Sequence, residues 1–177
     1  MQIRAGSLLI ANPKFAHPEH EQSVVFITES TEQSTMGIVL NSRESYDLAG
    51  ILENKGVAWP YQTLIGQGGE YSPTCLMMVH TNEWYSSNTM PITNSHSISS
   101  DEFMLEKVSS GNEPIWWRLF MGVKGWTPLE LAQELKSEQP KWLLLARPPL
   151  KVLHSESKQM WTLAVNAYSQ DMFSSYI

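Results

Sequence analysis

Short apolar runs, each bounded by turn-forming residues, set the strongest limit on how this chain folds. Ser7 to Ala11, Ser23 to Thr28 and Met36 to Leu40 are rich in β-branched and aromatic side chains, which suit a pleated, half-buried surface. The last two flank the polar stretch Glu29 to Thr35 and read as a hairpin. Their apolar residues are nearly continuous rather than alternating, as in strands covered on both faces. None of the runs nears the roughly 18 apolar residues of a membrane span, so no membrane association is expected.

Further strands are expected at Gln62 to Gly66 and Thr74 to His80, read as a pair joined by the turn-forming stretch Gln67 to Pro73. Pro114 to Met121 and Trp142 to Ala146 complete the set, the latter stopped by Pro148 and Pro149. Helices lie between them. Thr127-Pro128-Leu129-Glu130 supplies an N-cap threonine, a proline at the first helical position and a capping-box glutamate. Ser99-Ser100-Asp101-Glu102 fits a second capping box, with Ser99 as cap and the helix stopping near Gly111. Tyr46 to Asn54 reads as a short helix ended by Gly56, and Ser157 to Phe173 as an amphipathic helix with Trp161, Ala164, Val165, Tyr168 and Met172 on one stripe. The sum is one domain over residues 1–177, short strands with three or so helices laid over them around one continuous apolar interior.

Composition narrows the partners. The 177 residues carry a net charge of −6, and non-specific nucleic-acid affinity comes mainly from lysine and arginine neutralising phosphate. Direct DNA binding is therefore not expected. The basic residues Lys136, Lys141, Arg147, Lys151 and Lys158 are interleaved with Glu134, Glu138 and Glu156 and read as a solvated face. The single cysteine, Cys75, excludes an internal disulfide and makes a reducing cytoplasm the default. Seven tryptophans and nine methionines belong to the core or to an association surface, so a protein partner is expected and homo-oligomerisation stays open.

Candidate chemistry is sparse. His17-Pro18-Glu19-His20-Glu21 gathers possible metal ligands, but Pro18 and the spacing oppose a helical zinc site and favour an exposed loop. Gly66-Gln67-Gly68-Gly69 could cradle an anion, yet no Lys-Ser/Thr follows, and a tight turn is the plainer reading. Cys75 in an apolar strand behaves as a small hydrophobe. His80 ends that strand, where a base could sit, although a packed histidine is commoner. There is no Gly-x-Ser-x-Gly elbow. Neither a catalytic group, a metal nor a cofactor is expected.

Several segments together resemble the YqgE/AlgH family, also called UPF0301 or DUF179, bacterial proteins usually labelled transcriptional regulators. Gly6-Ser7-Leu8-Leu9-Ile10-Ala11-Asn12-Pro13, Ser23 to Ile27 and Met36 to Asn41 are similar to its opening motifs. Gly68-Gly69 with Val79-His80 resembles its central motif, Ser99-Ser100-Asp101 its Thr-Ser-x-Asp, and Gly122 to Pro128 with Leu131, Glu134, Trp142 and Trp161 its later part. The resemblance covers nearly the whole chain. It implies an α+β fold, a mixed or antiparallel sheet curled toward a barrel and flanked by about three to four helices, and no settled reaction, cofactor or ligand.

The departures from the family pattern fall at polar positions. His17, His20 and Gln22 stand in a segment where the family carries Asp-Pro-x-Phe-x-Arg; Ser42-Arg43, Glu70-Tyr71 and Leu129-Glu130 also differ from its pattern. If those positions form a family ligand site, this chain has altered it. Two functions follow as expectations. One is a non-enzymatic regulatory or protein-interaction module, acting on transcription through another protein. The other is a small-molecule binder or unrecognised enzyme whose pocket gathers Asn41, Gly68, Gly69, His80, Gly125 and Trp126, positions at strand ends. The plainer reading of the same residues is that the glycines serve turns, Asn41 caps a strand and Trp126 staples a helix to the sheet.

Overall fold

The computed structural model describes residues 3–15, 18, 20–43 and 45–176. Its strands are β1 (Leu8–Ala11), β2 (Val24–Ser30), β3 (Thr35–Val39), β4 (Ser45–Asp47), β5 (Leu64–Gln67), β6 (Tyr71–Thr81), β7 (Met90–Pro91), β8 (His96–Ser99), β9 (Trp117–Trp126) and β10 (Trp142–Leu145). The main path runs β10-β1-β2-β3-β9-β6-β8-β7 and curls into half a barrel. All its pairings are antiparallel, while the contact of β5 with β9 is parallel and β4 hangs on β5. The chain is α+β with a mixed, mainly antiparallel sheet, as the family resemblance implies.

Continuous apolar runs arise because the central strands are covered twice. In β1, Leu8 and Ile10 face one cluster with Phe26, Ile38, Val152 and Met160, whereas Leu9 and Ala11 face another with Val25, Ile27, Leu131 and Trp142. Leu8, Leu9 and Ile10 have no solvent exposure, and each such burial contributes roughly 1.5–3 kcal/mol. A third cluster gathers Leu48, Leu52, Met104 and Val108 against Met78 and Leu119. The expected single interior is thus parted by the sheet.

Among the described residues, five helices pack on this frame: α1 (Leu48–Glu53), α2 (Glu102–Ser109), α3 (Pro128–Lys136), α4 (Leu150–Leu153) and α5 (Ser157–Ser174). The single turn α4 carried too few residues to show periodicity. At α3 the capping box forms, Thr127 Oγ1 accepting from the Glu130 N–H and Glu130 accepting from the Thr127 N–H. At α2 the cap is Asp101, which accepts from the Met104 N–H at 3.0 Å, and not Ser99. Ser99 lies in β8, its hydroxyl engaged by His80. In α5, Met160, Ala164 and Ala167 are buried, while Met172 is exposed.

The expected pairing of β5 with β6 does not form, for a steric reason. β6 takes one edge of β9 from Trp117 to Val123, so β5, at Phe120 and Met121, must lie on the other edge, beside β3. The chain therefore crosses β9, and Gly68-Gly69 is where it crosses. A Cβ on Gly69 would stand 2.1 Å from the Val123 carbonyl carbon, and one on Gly68 2.3 Å from the Gly122 oxygen. Only glycine permits such backbone contact. Gly68 completes the crossing by donating to Met121 and accepting from Val39.

Candidate functional site

A cleft of about 1150 Å³ opens beside this crossing. Its walls come from the segment entering β2, the β3–β4 connection, the face of β9 and the first turn of α5. Asn41 fixes one wall: its Oδ1 accepts from the Val24 N–H and its Nδ2 donates to the Gln22 carbonyl, both at 2.8 Å. Ser42 Oγ accepts from the Gln67 N–H at 2.8 Å, and Gln67 Nε2 donates to the Gly69 carbonyl.

β9 supplies Arg118 and Lys124 to the cleft, beside Glu21, Arg43, Glu70, Glu156 and Lys158 from other segments. Arg118, Phe120 and Lys124 all line the cleft, with Gly122 at φ +76 interrupting the strand's regular alternation between the last two. The buried Lys124 ammonium lies 3.3 Å from the Glu70 carboxylate and 5.7 Å from the Trp126 ring centre. Arg118 is half-buried; its Nη2 donates to the Ser155 carbonyl at 2.5 Å, while its Nη1 is buried with no hydrogen-bond partner among the described residues. Burial lowers the Arg118 pKa against the opposing pull of the Glu156 carboxylate. Glu156 is the N-cap of α5 but makes no side-chain capping bond.

Of the sequence-derived candidates, Asn41 and Gly69 line this cleft, and Gly68 sits in the adjoining crossing. His80, Gly125 and Trp126 are not among its walls. His80 is fully buried. Its Nδ1 meets the Thr81 carbonyl at 3.0 Å, which assigns the proton there, so Nε2 accepts from the Ser99 hydroxyl at 2.8 Å. Ser99 in turn receives the Thr89 hydroxyl at 2.7 Å, and Thr89 receives the Ser86 N–H. The relay resembles a serine activated by histidine, but Ser99 is 1% exposed, so it secures a buried polar chain. Burial pushes the His80 pKa down, which favours the neutral ring that the relay uses.

Trp126 performs a different task. Its indole N–H and that of Trp142 both donate to Glu134 Oε2, at 3.0 and 2.7 Å, and Lys141 meets Oε1 at 3.1 Å. Burial of Glu134 opposes its charge, but the Trp142, Lys141 and Trp126 donors outweigh it and hold the carboxyl below its ordinary range. Strand and helix are joined through one carboxylate. Gly125 has only the Tyr71 ring near its missing side chain, at 3.5 Å.

The metal reading at His17 and Glu19 lies outside the described residues. His20 packs on Trp142 with ring centres 5.2 Å apart. Among the described residues no three His, Cys, Asp or Glu side chains are grouped to hold a metal. Gln22 and Glu70 line the cleft, whereas Glu130 belongs to the α3 cap. Arg118 and Lys124 escaped the sequence reading, although charges inside an aromatic-rich strand were a usable signal.

The chain belongs to the AlgH-like family (DUF179), whose model matches residues 8–172. Among particular relatives, a UPF0301 protein of Marinomonas sp. is 26% identical over 93% of this chain and 88% of its own length. Another, from Thiobacillus denitrificans, is 28% identical over 80% of this chain and 77% of its own. The solution structure of the AlgH protein from Pseudomonas aeruginosa superposes with a TM-score of 0.75 at 23% identity, covering 92% of this chain and 87% of that one. A crystal structure from Corynebacterium diphtheriae gives 0.69, also at 23% identity, over 91% and 85%. These two likenesses concern the fold.

Proposed function

We propose that the chain is a cytoplasmic binding module that holds a small molecule in the cleft without turning it over and passes that occupancy to a partner protein. One observation carries the reading: segments remote in sequence converge on a cleft of about 1150 Å³ whose polar groups are held by their own hydrogen bonds. A concave site with a few fixed polar groups in a largely prebuilt wall is what small-ligand binding requires. Influence on transcription then runs through the partner, consistent with the chain's net charge of −6.

A thermal-shift screen of metabolite-sized compounds is the test. A stabilising compound is expected back unchanged after prolonged incubation, and to lose its effect in Ser45→Trp, which fills the cleft from β4. Conversion of the compound to a product contradicts the absence of turnover; undiminished binding by Ser45→Trp contradicts the site. A mobility shift showing sub-micromolar, sequence-specific DNA binding at physiological salt contradicts the indirect route.

A direct protein-interaction role is a second reading, favoured by Phe173 and Tyr176, which stand 73% and 82% exposed at the end of α5. Exposed aromatic side chains are enriched at interfaces.

A further inference from the structure

We propose that the ligand of the cleft carries an oxyanion, a carboxylate or phosphate group, seated between the Arg118 guanidinium, the Lys158 ammonium and the first turn of α5. The inference rests on the binding role given above and adds the chemical class of what is bound.

Arg118 is the starting point. A guanidinium withdrawn from water is ordinarily matched by a carboxylate. The ion pairs found among the described residues are Lys124 with Glu70 and Lys141 with Glu134, and Arg118 belongs to neither. Its Nη2 is spent on a neutral carbonyl and its Nη1 has no hydrogen-bond partner among the described residues. The planar fork of arginine suits carboxylate and phosphate oxygens. The strand thus presents a guanidinium held by the Trp116 ring and the Ser155 carbonyl, attracted by Glu156 but joined to no carboxylate in an ion pair among the described residues.

The surroundings fix the end of the cleft at which the oxyanion sits. Lys124 is paired with Glu70, so its part of the cleft is less attractive to an anion. At the Arg118 end, α5 begins with no side-chain cap, and Ser157 and Lys158 line the cleft. The first-turn N–H groups and the helix dipole favour negative charge there. Glu156, on the same wall, opposes an incoming anion.

The test follows amide and arginine side-chain NMR signals of the full chain during titration with inorganic phosphate and, separately, succinate, at constant ionic strength against chloride. The proposal expects saturable shifts at Arg118, Ser157 and Lys158 with at least one of the two probes. Arg118→Gln should weaken binding about tenfold or more, as for loss of charge-assisted hydrogen bonds. Lys158→Gln, an exposed change that leaves the fold undisturbed, should weaken it severalfold, and Glu156→Gln should strengthen it. Response to phosphate alone assigns a phosphate ligand, and response to succinate alone a carboxylate. No shift beyond chloride with either probe overturns the proposal, as does equal binding by Lys158→Gln and Glu156→Gln. If uncharged compounds still bind the cleft, the binding role survives while the oxyanion falls; if nothing binds, both fall.

Discussion

At the scale of residues, buried histidines act as neutral hydrogen-bonding parts. His96 Nε2 and His154 Nε2 lie 2.8 Å apart, so one ring donates and the other accepts, and a second proton breaks the contact. Burial, followed by repulsion from His154 and His80, lowers the His96 pKa to about 4; burial and then Arg118 lower that of His154. An unfolded histidine takes its proton near 6.5, so stability is full above that pH and is lost as pH falls toward 4. The loss attributable to His96 is on the order of 3 kcal/mol, and the slope of Tm against pH between 7 and 4 should flatten in His96→Gln. In the His80 relay, Ser99→Ala strands a buried ring nitrogen and should cost about 1–3 kcal/mol in denaturant unfolding; a change below 0.5 kcal/mol would show that the relay contributes little.

At the scale of elements, the contrast between two glycine sites shows what residue order reveals. Gly69→Ala drives a methyl group into the β9 backbone and should cost at least about 3 kcal/mol, whereas Gly125→Ala should fall within about 1 kcal/mol. Unfolding of the two variants side by side checks this; equal costs would contradict the crossing. Sequence alone showed glycines and a turn, but a turn between neighbouring strands and a passage across a third use the same residues. The caps teach a similar lesson. Thr127-Pro128-Leu129-Glu130 was legible because all of its partners are local. Ser99 was misassigned because its partner, His80, comes from another strand, and Asp101 then took the cap. Strand positions were readable from β-branched runs, while the order of the strands depended on non-local pairing that no local pattern encodes.

At the scale of the whole molecule, the cleft is a product of topology. β9 contributes Arg118 and Lys124, the crossing contributes Gly69 and Glu70, and α5 contributes its first turn, segments separated by up to a hundred residues or so. Asn41 and Gly69 were within reach of a strand-end argument; Arg118 needed the knowledge that β9 runs through the middle of the sheet. His80 and Trp126 satisfied the same strand-end argument, but the fold uses them internally. The central claim is that this cleft is where the molecule meets its ligand. Mapping backbone amide shifts of the full chain against a library of small acids and neutral polar compounds tests it most directly. The account predicts that binders perturb Asn41, Ser42, Gln67, Arg118 and Ser157 together, and perturbations confined to other surfaces would contradict it.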